Sequence, residues 1–397
     1  MATPMTGRAD RLRLTRRNAL GAALAVAATV PLGVAGRASA SAGPVRLTLP
    51  APTGPYPVGT ASLHLVDRSR PDPVAGAGHF RELMAAVWYP AWDAGRFPRA
   101  PWMPAAVLRE LLGSAGFDPE AVAAPLTAGH EGAPVWRRGG RLPVVLFSHG
   151  AHDHRADHTV VVQELASHGY VVVTVDHTYD AFSQFPDGRV IVPLRDHPLG
   201  PADFAEDVRF VLDQIEEIDA GRNPDAGHRP LPAGLCGALD RRRIGMFGWS
   251  KGATATARVM YADRRVRAGL SLDGPMEPVM TAPLDRPFML MTAEFTRAAE
   301  PSVAEFWSHL RGWRLDVRAE GALHPSYGDL QVLMPQLAKV VGMSDEQLRE
   351  WIGTLDPARA VRIQQAYPLA FFDLHLRHRG RLLDGPSAAF PEVRFMP

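Results

Sequence analysis

The chain has 397 residues, 46% apolar and 21% charged, with 36 each of Gly and Pro; that balance excludes a disordered, collagen-like or coiled-coil chain. The formal charge of +1 hides an asymmetry, because residues 1–42 carry six Arg and one Asp while the remainder carries 37 basic and 41 acidic groups. A mildly acidic body argues against a nucleic-acid binder, which needs a basic face toward phosphate, and a lone cysteine, Cys236, rules out an intramolecular disulfide.

Arg8, Arg11, Arg13, Arg16 and Arg17 precede a charge-free run from Asn18 to Gly36, followed by Arg37-Ala38-Ser39-Ala40-Ser41-Ala42. A basic segment, an apolar segment and an A-x-A site form the order of a cleaved export signal. Thr15-Arg16-Arg17-Asn18-Ala19-Leu20 carries the paired arginines of twin-arginine export, so the export machinery is the partner expected for residues 1–42. A membrane anchor is the competing reading, but Ala and Gly insert weakly and Pro31 interrupts the run. The protein is therefore expected outside the cytoplasm, with residues 43–397 forming one folded body.

In that body, Gly59–Asp67 and Leu83–Tyr89 read as early strands, separated by the turn-rich residues 70–78. Residues 91–142 are rich in Pro, Gly and Trp, and only Ala105–Leu112 has a helical pattern. From Pro143 the rhythm changes. Val144–Ser148, Tyr170–Val175, Ile244–Trp249, Ala268–Leu272, Phe288–Thr292 and Arg314–Val317 are short apolar runs. Helical stretches are expected between them at Thr159–His168, Asp203–Ile218, Ala253–Tyr261 and Val303–Arg311, and Ala358–His378 closes the chain as a long helix. Continuous apolar strands alternating with amphipathic helices predict an α/β fold, its mostly parallel central sheet covered on both faces.

Gly248-Trp249-Ser250-Lys251-Gly252 places a G-x-S-x-G pattern between an expected strand and an expected helix. A sharp turn there exposes the Ser250 hydroxyl as a nucleophile, and the following helix aims its N-terminal N–H groups at the site. Lys251 followed by Gly252 does not match a phosphate loop, which needs Gly-Lys-Ser/Thr. A hydroxyl needs a base, and the base an orienting acid. Asp273 and Glu294, both just past strand ends, compete equally as the acid. His324 lies in a loop after the last expected strand and is the expected base, whereas His309, His375 and His378 fall in helical patterns. Phe147-Ser148-His149-Gly150-Ala151 ends another strand and can present N–H groups to a developing oxyanion, with Lys251 N as second donor. The run His152-Asp153-His154-Arg155-Ala156-Asp157-His158 invites a metal reading, but it lacks an H-E-x-x-H pattern and reads as a polar loop, so no metal and no cofactor are expected. Trp102, Met103, Leu108, Leu111 and Leu112 form an apolar cluster that either touches lipid near the site mouth or packs a peripheral helix. His149, Trp249, Trp102 and Met103 are the candidate substrate contacts.

Several motifs together resemble the α/β-hydrolase family related to platelet-activating-factor acetylhydrolase, including secreted bacterial esterases and lipases. They are Leu65-Val66-Asp67-Arg68-Ser69-Arg70-Pro71, Val87-Trp88-Tyr89-Pro90, Phe147-Ser148-His149-Gly150, Leu165-Ala166-Ser167-His168-Gly169-Tyr170, the serine turn and Phe371-Phe372-Asp373-Leu374-His375-Leu376-Arg377. The resemblance implies an α/β-hydrolase fold, selects Asp273 over Glu294, and matches a His-x-Ser-x-x-Asp stretch to His324-Pro325-Ser326-Tyr327-Gly328-Asp329. It also implies Ala151 as the donor after His-Gly. Lys251 and Ala253 depart from the residues common in relatives, and a cation beside the acyl site questions a purely hydrophobic acyl pocket. The activity implied is that of a secreted serine ester hydrolase forming an acyl-enzyme on short-acyl lipids or small esters. A polyester or cutin hydrolase is the alternative within the class. A non-catalytic binding protein on the same scaffold is the alternative outside it, weighed against by the complete set Ser250, Asp273 and His324.

Overall fold

The computed structural model describes residues 43–137 and 140–397; the export signal expected over residues 1–42 lies outside them. Six parallel strands form the middle of an 11-stranded sheet, in the spatial order Val171–Asp176, Leu142–Ser148, Leu239–Trp249, Val266–Leu272, Phe288–Thr292 and Arg314–Ala319. Every residue of Leu142–Ser148 and Val171–Asp176 is buried, as a strand covered on both faces requires. The antiparallel pair Val58–Pro71 and Phe80–Pro90 extends the sheet beyond Val171–Asp176, and Val393–Phe395 closes the other edge.

Helices cover both faces. Pro201–Asp219, Lys251–Ala262 and Pro301–His309 contribute Val208, Val211, Ala257 and Phe306 to one apolar layer. Thr159–Ser167 and Pro357–Arg377 contribute Val161, Leu165, Ile363 and Phe371 to the other. Burying these side chains supplies the main favourable term, about 1.5–3 kcal/mol for each large apolar residue. Pro357 occupies the first turn of the last helix, where no N–H is needed, and the helix continues through Pro368.

The structure adds elements that local pattern did not suggest. Leu126–Glu131 and Arg99–Pro101 pair at the far edge of the sheet, drawn from the Pro- and Gly-rich stretch. Leu330–Val341 is helical despite Pro335, and Asp345–Ile352 starts at a Ser344–Gln347 capping box. These helices decide a question left open by composition. Leu333, Met334 and Leu337 pack over Trp102, Met103, Leu108 and Leu112, so the apolar cluster is a third core rather than a lipid-facing surface. Among the described residues, no helix is long and apolar enough to cross a membrane.

Candidate active site

Ser250 joins the end of the strand Leu239–Trp249 to the start of the helix Lys251–Ala262, with φ +54° and ψ −120°. That backbone is strained for a residue with a Cβ, and tight packing enforces it. A Cβ on Gly248 would lie 2.0 Å from Gly252 O, and one on Gly252 would lie 2.0 Å from Ser148 O. Only glycine at both positions lets the turn close against the neighbouring strand.

Asp273 follows the next strand, Val266–Leu272, and also has positive φ, +44°. Its Oδ1 accepts hydrogen bonds from the N–H groups of Ala293, Glu294 and Phe295, at 2.6, 3.0 and 3.0 Å. Its Oδ2 lies 2.7 Å from Nδ1 of His324. Glu294, the rival, accepts instead from the backbone N–H of His324 at 2.8 Å. One carboxylate thus holds the imidazole and the other holds its main chain. Residue spacing alone left the two level and the resemblance favoured Asp273, in line with which atom of His324 each acid reaches.

Three contacts bring the nucleophile turn, the acid and the imidazole together. Ser250 N donates to Leu272 O at 3.3 Å, beside Asp273. The Trp249 ring stacks on His324 with centroids 4.6 Å apart, and its Nε1 donates to His324 O at 2.9 Å. Phe295 presents an edge to the same imidazole at 5.0 Å. Trp249 is therefore a buried wall behind His324 rather than an open substrate contact. Gly150 packs against it, since a Cβ there would meet the Trp249 ring at 2.4 Å and Ser250 Cβ at 3.1 Å. This brings the turn His149-Gly150-Ala151 beside the serine.

The other candidate substrate contacts are corrected by burial. His149 is fully enclosed; its Nδ1 lies 2.6 Å from Gly150 O, and its Nε2 accepts from His177 N at 3.0 Å. A carbonyl only accepts and an amide only donates, so these partners require the neutral Nδ1–H tautomer. Burial and the nearby His177 push its pKa well below the usual histidine range, in agreement. Its bond to Gly150 O orients the Gly150–Ala151 peptide, whose N–H points the opposite way. Trp102 and Met103 are buried as well. The Trp102 indole N–H is shared between Ala156 O at 2.7 Å and Asp329 Oδ2 at 2.8 Å. Asp329 also caps the helix Thr159–Ser167 by accepting from Thr159 N and Val160 N, both at 2.9 Å. These side chains belong to the packing around the start of the helix Thr159–Ser167.

Asp153, His154 and Asp157 bring their ligand atoms within 4.8 Å of one another. They already engage each other and their own loop. His154 Nδ1 accepts from Ala156 N at 3.2 Å, and its Nε2 lies 3.4 Å from Asp153 Oδ1. Burial, with Asp157 alongside, pushes the Asp153 carboxyl well above its ordinary range.

Sequence reading passed over a second polar cluster behind the site. Ser148 Oγ lies 2.8 Å from His177 Nε2, and His177 Nδ1 lies 2.9 Å from Asp207 Oδ2. Arg81 forms a bidentate pair with Asp207 at 3.1 and 2.7 Å, and Arg70 adds a contact at 2.8 Å. Burial opposes the charge on Asp207, but Arg81 and His177 outweigh it and hold the carboxyl well below its usual range. The members lie between Arg70 and Asp207, up to 137 positions apart, and share no one local motif, so no spacing rule announces them.

The family model of platelet-activating factor acetylhydrolase, isoform II, matches residues 42–184 and 204–381. A probable 1-alkyl-2-acetylglycerophosphocholine esterase of Arthroderma benhamiae is 26% identical, over 94% of this chain and 99% of its own. Platelet-activating factor acetylhydrolase of Cavia porcellus is 25% identical, over 83% of this chain and 78% of its own. Among solved structures, a ferulic acid esterase from Streptomyces cinnamoneus superposes with a TM-score of 0.74 at 33% identity, covering 88% of this chain and 99% of that one. Fold and relatives together define a carboxylic ester hydrolase of the α/β-hydrolase class. The chain belongs to the platelet-activating factor acetylhydrolase isoform II family.

Proposed function

We propose that this esterase works through an acyl-enzyme formed on Ser250, with His324 as base and Asp273 as its orienting acid. The observation that carries the reading is the 2.7 Å contact between Asp273 Oδ2 and His324 Nδ1, beside a serine held on a strained strand-to-helix turn. Asp273, already fixed by three N–H donors, selects the tautomer that leaves His324 Nε2 free to accept a proton. Nε2 takes the Ser250 proton as Oγ bonds to the ester carbonyl carbon. The carbonyl oxygen becomes an oxyanion between the N–H groups of Ala151 and Lys251. Collapse breaks the ester bond, and the imidazolium returns its proton to the departing alkoxide. Water, deprotonated by the same histidine, then attacks the acyl-enzyme and frees the acid and Ser250.

The substrates proposed are short-acyl lipids or small esters, supported by the two relatives named as acetylhydrolase and alkyl-acetyl-glycerophosphocholine esterase. A hydroxycinnamoyl ester is the second reading, favoured by the 33% identity to a ferulic acid esterase. Action outside the cytoplasm, after twin-arginine export, rests on the paired arginines and the A-x-A site in residues 1–42.

The test is covalent labelling with a fluorophosphonate followed by peptide mapping, together with turnover of a nitrophenyl ester series, a short-acyl phospholipid and methyl ferulate. Label on Ser250, and a loss of about three orders of magnitude or more in Ser250→Ala, are expected. Near-normal turnover in Ser250→Ala removes the assignment. The ratio of kcat/KM between phospholipid and ferulate decides the substrate class.

A further inference from the structure

The helix that begins at Lys251 supplies one proposed oxyanion donor through its backbone, but the Lys251 side chain has its own destination. Its Nζ donates to Asp180 Oδ2 at 2.6 Å and to Leu199 O at 2.8 Å, and lies 5.0 Å from the centroid of the Phe204 ring. Asp180 is 1% exposed and Lys251 17%, so this is a largely desolvated ion pair. The cation's charge is therefore balanced by Asp180, so it adds no unpaired charge near the proposed acyl site. The other oxygen of Asp180 accepts from the backbone N–H of His152 at 2.7 Å. His152 has φ +59° and directly follows Ala151, the other proposed donor.

One carboxylate thus grips both halves of the oxyanion site. Ala151 lies in the turn after the strand Leu142–Ser148, and Lys251 starts the helix after the strand Leu239–Trp249. Their N–H groups serve one oxygen only if two separate segments keep a fixed separation and aim. Catalytic efficiency is sensitive to displacements of about 1 Å at such groups. We infer that Asp180 and the Lys251 side chain are positioning residues, a charged clamp that sets the spacing of the two oxyanion donors. This rests on the acyl-enzyme reading above and adds to it a part for a buried ion pair outside the Ser250–His324–Asp273 set.

The test compares wild type with Lys251→Met, Asp180→Asn, the double variant and Lys251→Arg, all in the full chain and at a temperature where each is shown to be folded. A nitrophenyl ester gives kcat and KM; a trifluoromethyl ketone, which forms a tetrahedral oxyanion, and the carboxylate product give binding constants. Expected are a kcat lower by about tenfold to a hundredfold in each single variant, and a KM within about threefold. Affinity for the ketone should fall in step with kcat, while affinity for the product stays level. The double variant should be little worse than the more damaged single one, as coupled residues require. Lys251→Arg, which keeps the ion pair, should recover much of the rate. If Lys251→Met does not fold, the isosteric Asp180→Asn decides alone. Wild-type kcat in that variant, a loss confined to KM, or unchanged ketone affinity overturns the clamp. Wild type that resists the fluorophosphonate instead defeats the acyl-enzyme reading, so the two failures are distinct.

Discussion

Ser250, His324 and Asp273 have a counterpart of the same residue types in Ser148, His177 and Asp207, with acid–imidazole contacts of 2.7 and 2.9 Å respectively. In both, a carboxylate within 3 Å of Nδ1 sets the histidine tautomer. They differ in what surrounds the serine and what neutralises the acid. Ser148 is fully buried within a regular strand, with Phe204 stacked on His177 at a centroid distance of 3.6 Å. Its acid is claimed by Arg81 and Arg70, so little of that charge is left to stabilise an imidazolium. Asp273 has no arginine partner in the described contacts; its other oxygen meets only N–H dipoles. A Ser-His-Asp relay therefore does not define a nucleophile by itself. What sets Ser250 apart from Ser148 is its place on a strained strand-to-helix turn, whereas Ser148 is fully buried.

Exchanging the acids breaks the comparison most sharply. Asp273→Asn should lower kcat by about three to four orders of magnitude through the wrong histidine tautomer. Glu294→Gln, which touches only the His324 main chain, should cost about tenfold or less; the larger loss in steady-state kinetics identifies the working acid. Asp207→Asn should act on stability instead, lowering the unfolding free energy by about 3 kcal/mol because the buried Arg81 guanidinium loses its carboxylate, while Arg70 keeps Asp67. Denaturant titration measures that loss, and an intact midpoint would mean that the rear relay holds nothing.

Ser148→Ala gives a smaller effect of the same kind. It leaves His177 Nε2 without its partner at a cost of about 1–3 kcal/mol, and fluorophosphonate labelling of Ser250 should persist. Loss of labelling would assign the rear serine a role in the chemistry. The smallest effect concerns His375, whose ring sits against Trp313 and Phe371 with Nε2 unpartnered. Burial, then His378, lowers its pKa to about 4. The unfolded chain takes up this proton first as pH falls, so the folded state loses stability between about pH 6.5 and 4. His375→Leu should therefore gain on wild type across that window, by on the order of 1 kcal/mol once screening of a partly exposed ring is allowed for. Equal midpoints at pH 7 and 4.5 would refute it.

Local pattern carried much of the architecture. Phe288–Thr292 has the bounds expected from its apolar run, and the helices on both faces begin within two residues of expectation. Runs such as Val144–Ser148 are legible because a strand buried on both faces must be apolar throughout. Edge strands such as Arg99–Pro101 escaped because nothing about three residues announces a partner. Pro335 disguised a helix that tertiary packing stabilises against its proline. Trp102 and Met103 looked like surface because their covering helix, Leu330–Val341, comes more than 200 residues later.

The amino-acid order by itself marked the strand-to-helix turn at Ser250, since flanking glycines and a strand-to-helix switch are local properties of five residues. It also confined the base to a loop and the acid to two strand ends. Residue spacing alone left Asp273 and Glu294 level, and the folded chain agrees with the resemblance in setting Asp273 on the imidazole; only the fold turned the Lys251 ammonium toward Asp180 and enclosed His149. Those outcomes depend on distances between segments 20 to 71 residues apart, and such distances are fixed by how strands stack side by side rather than by which residues adjoin along the chain.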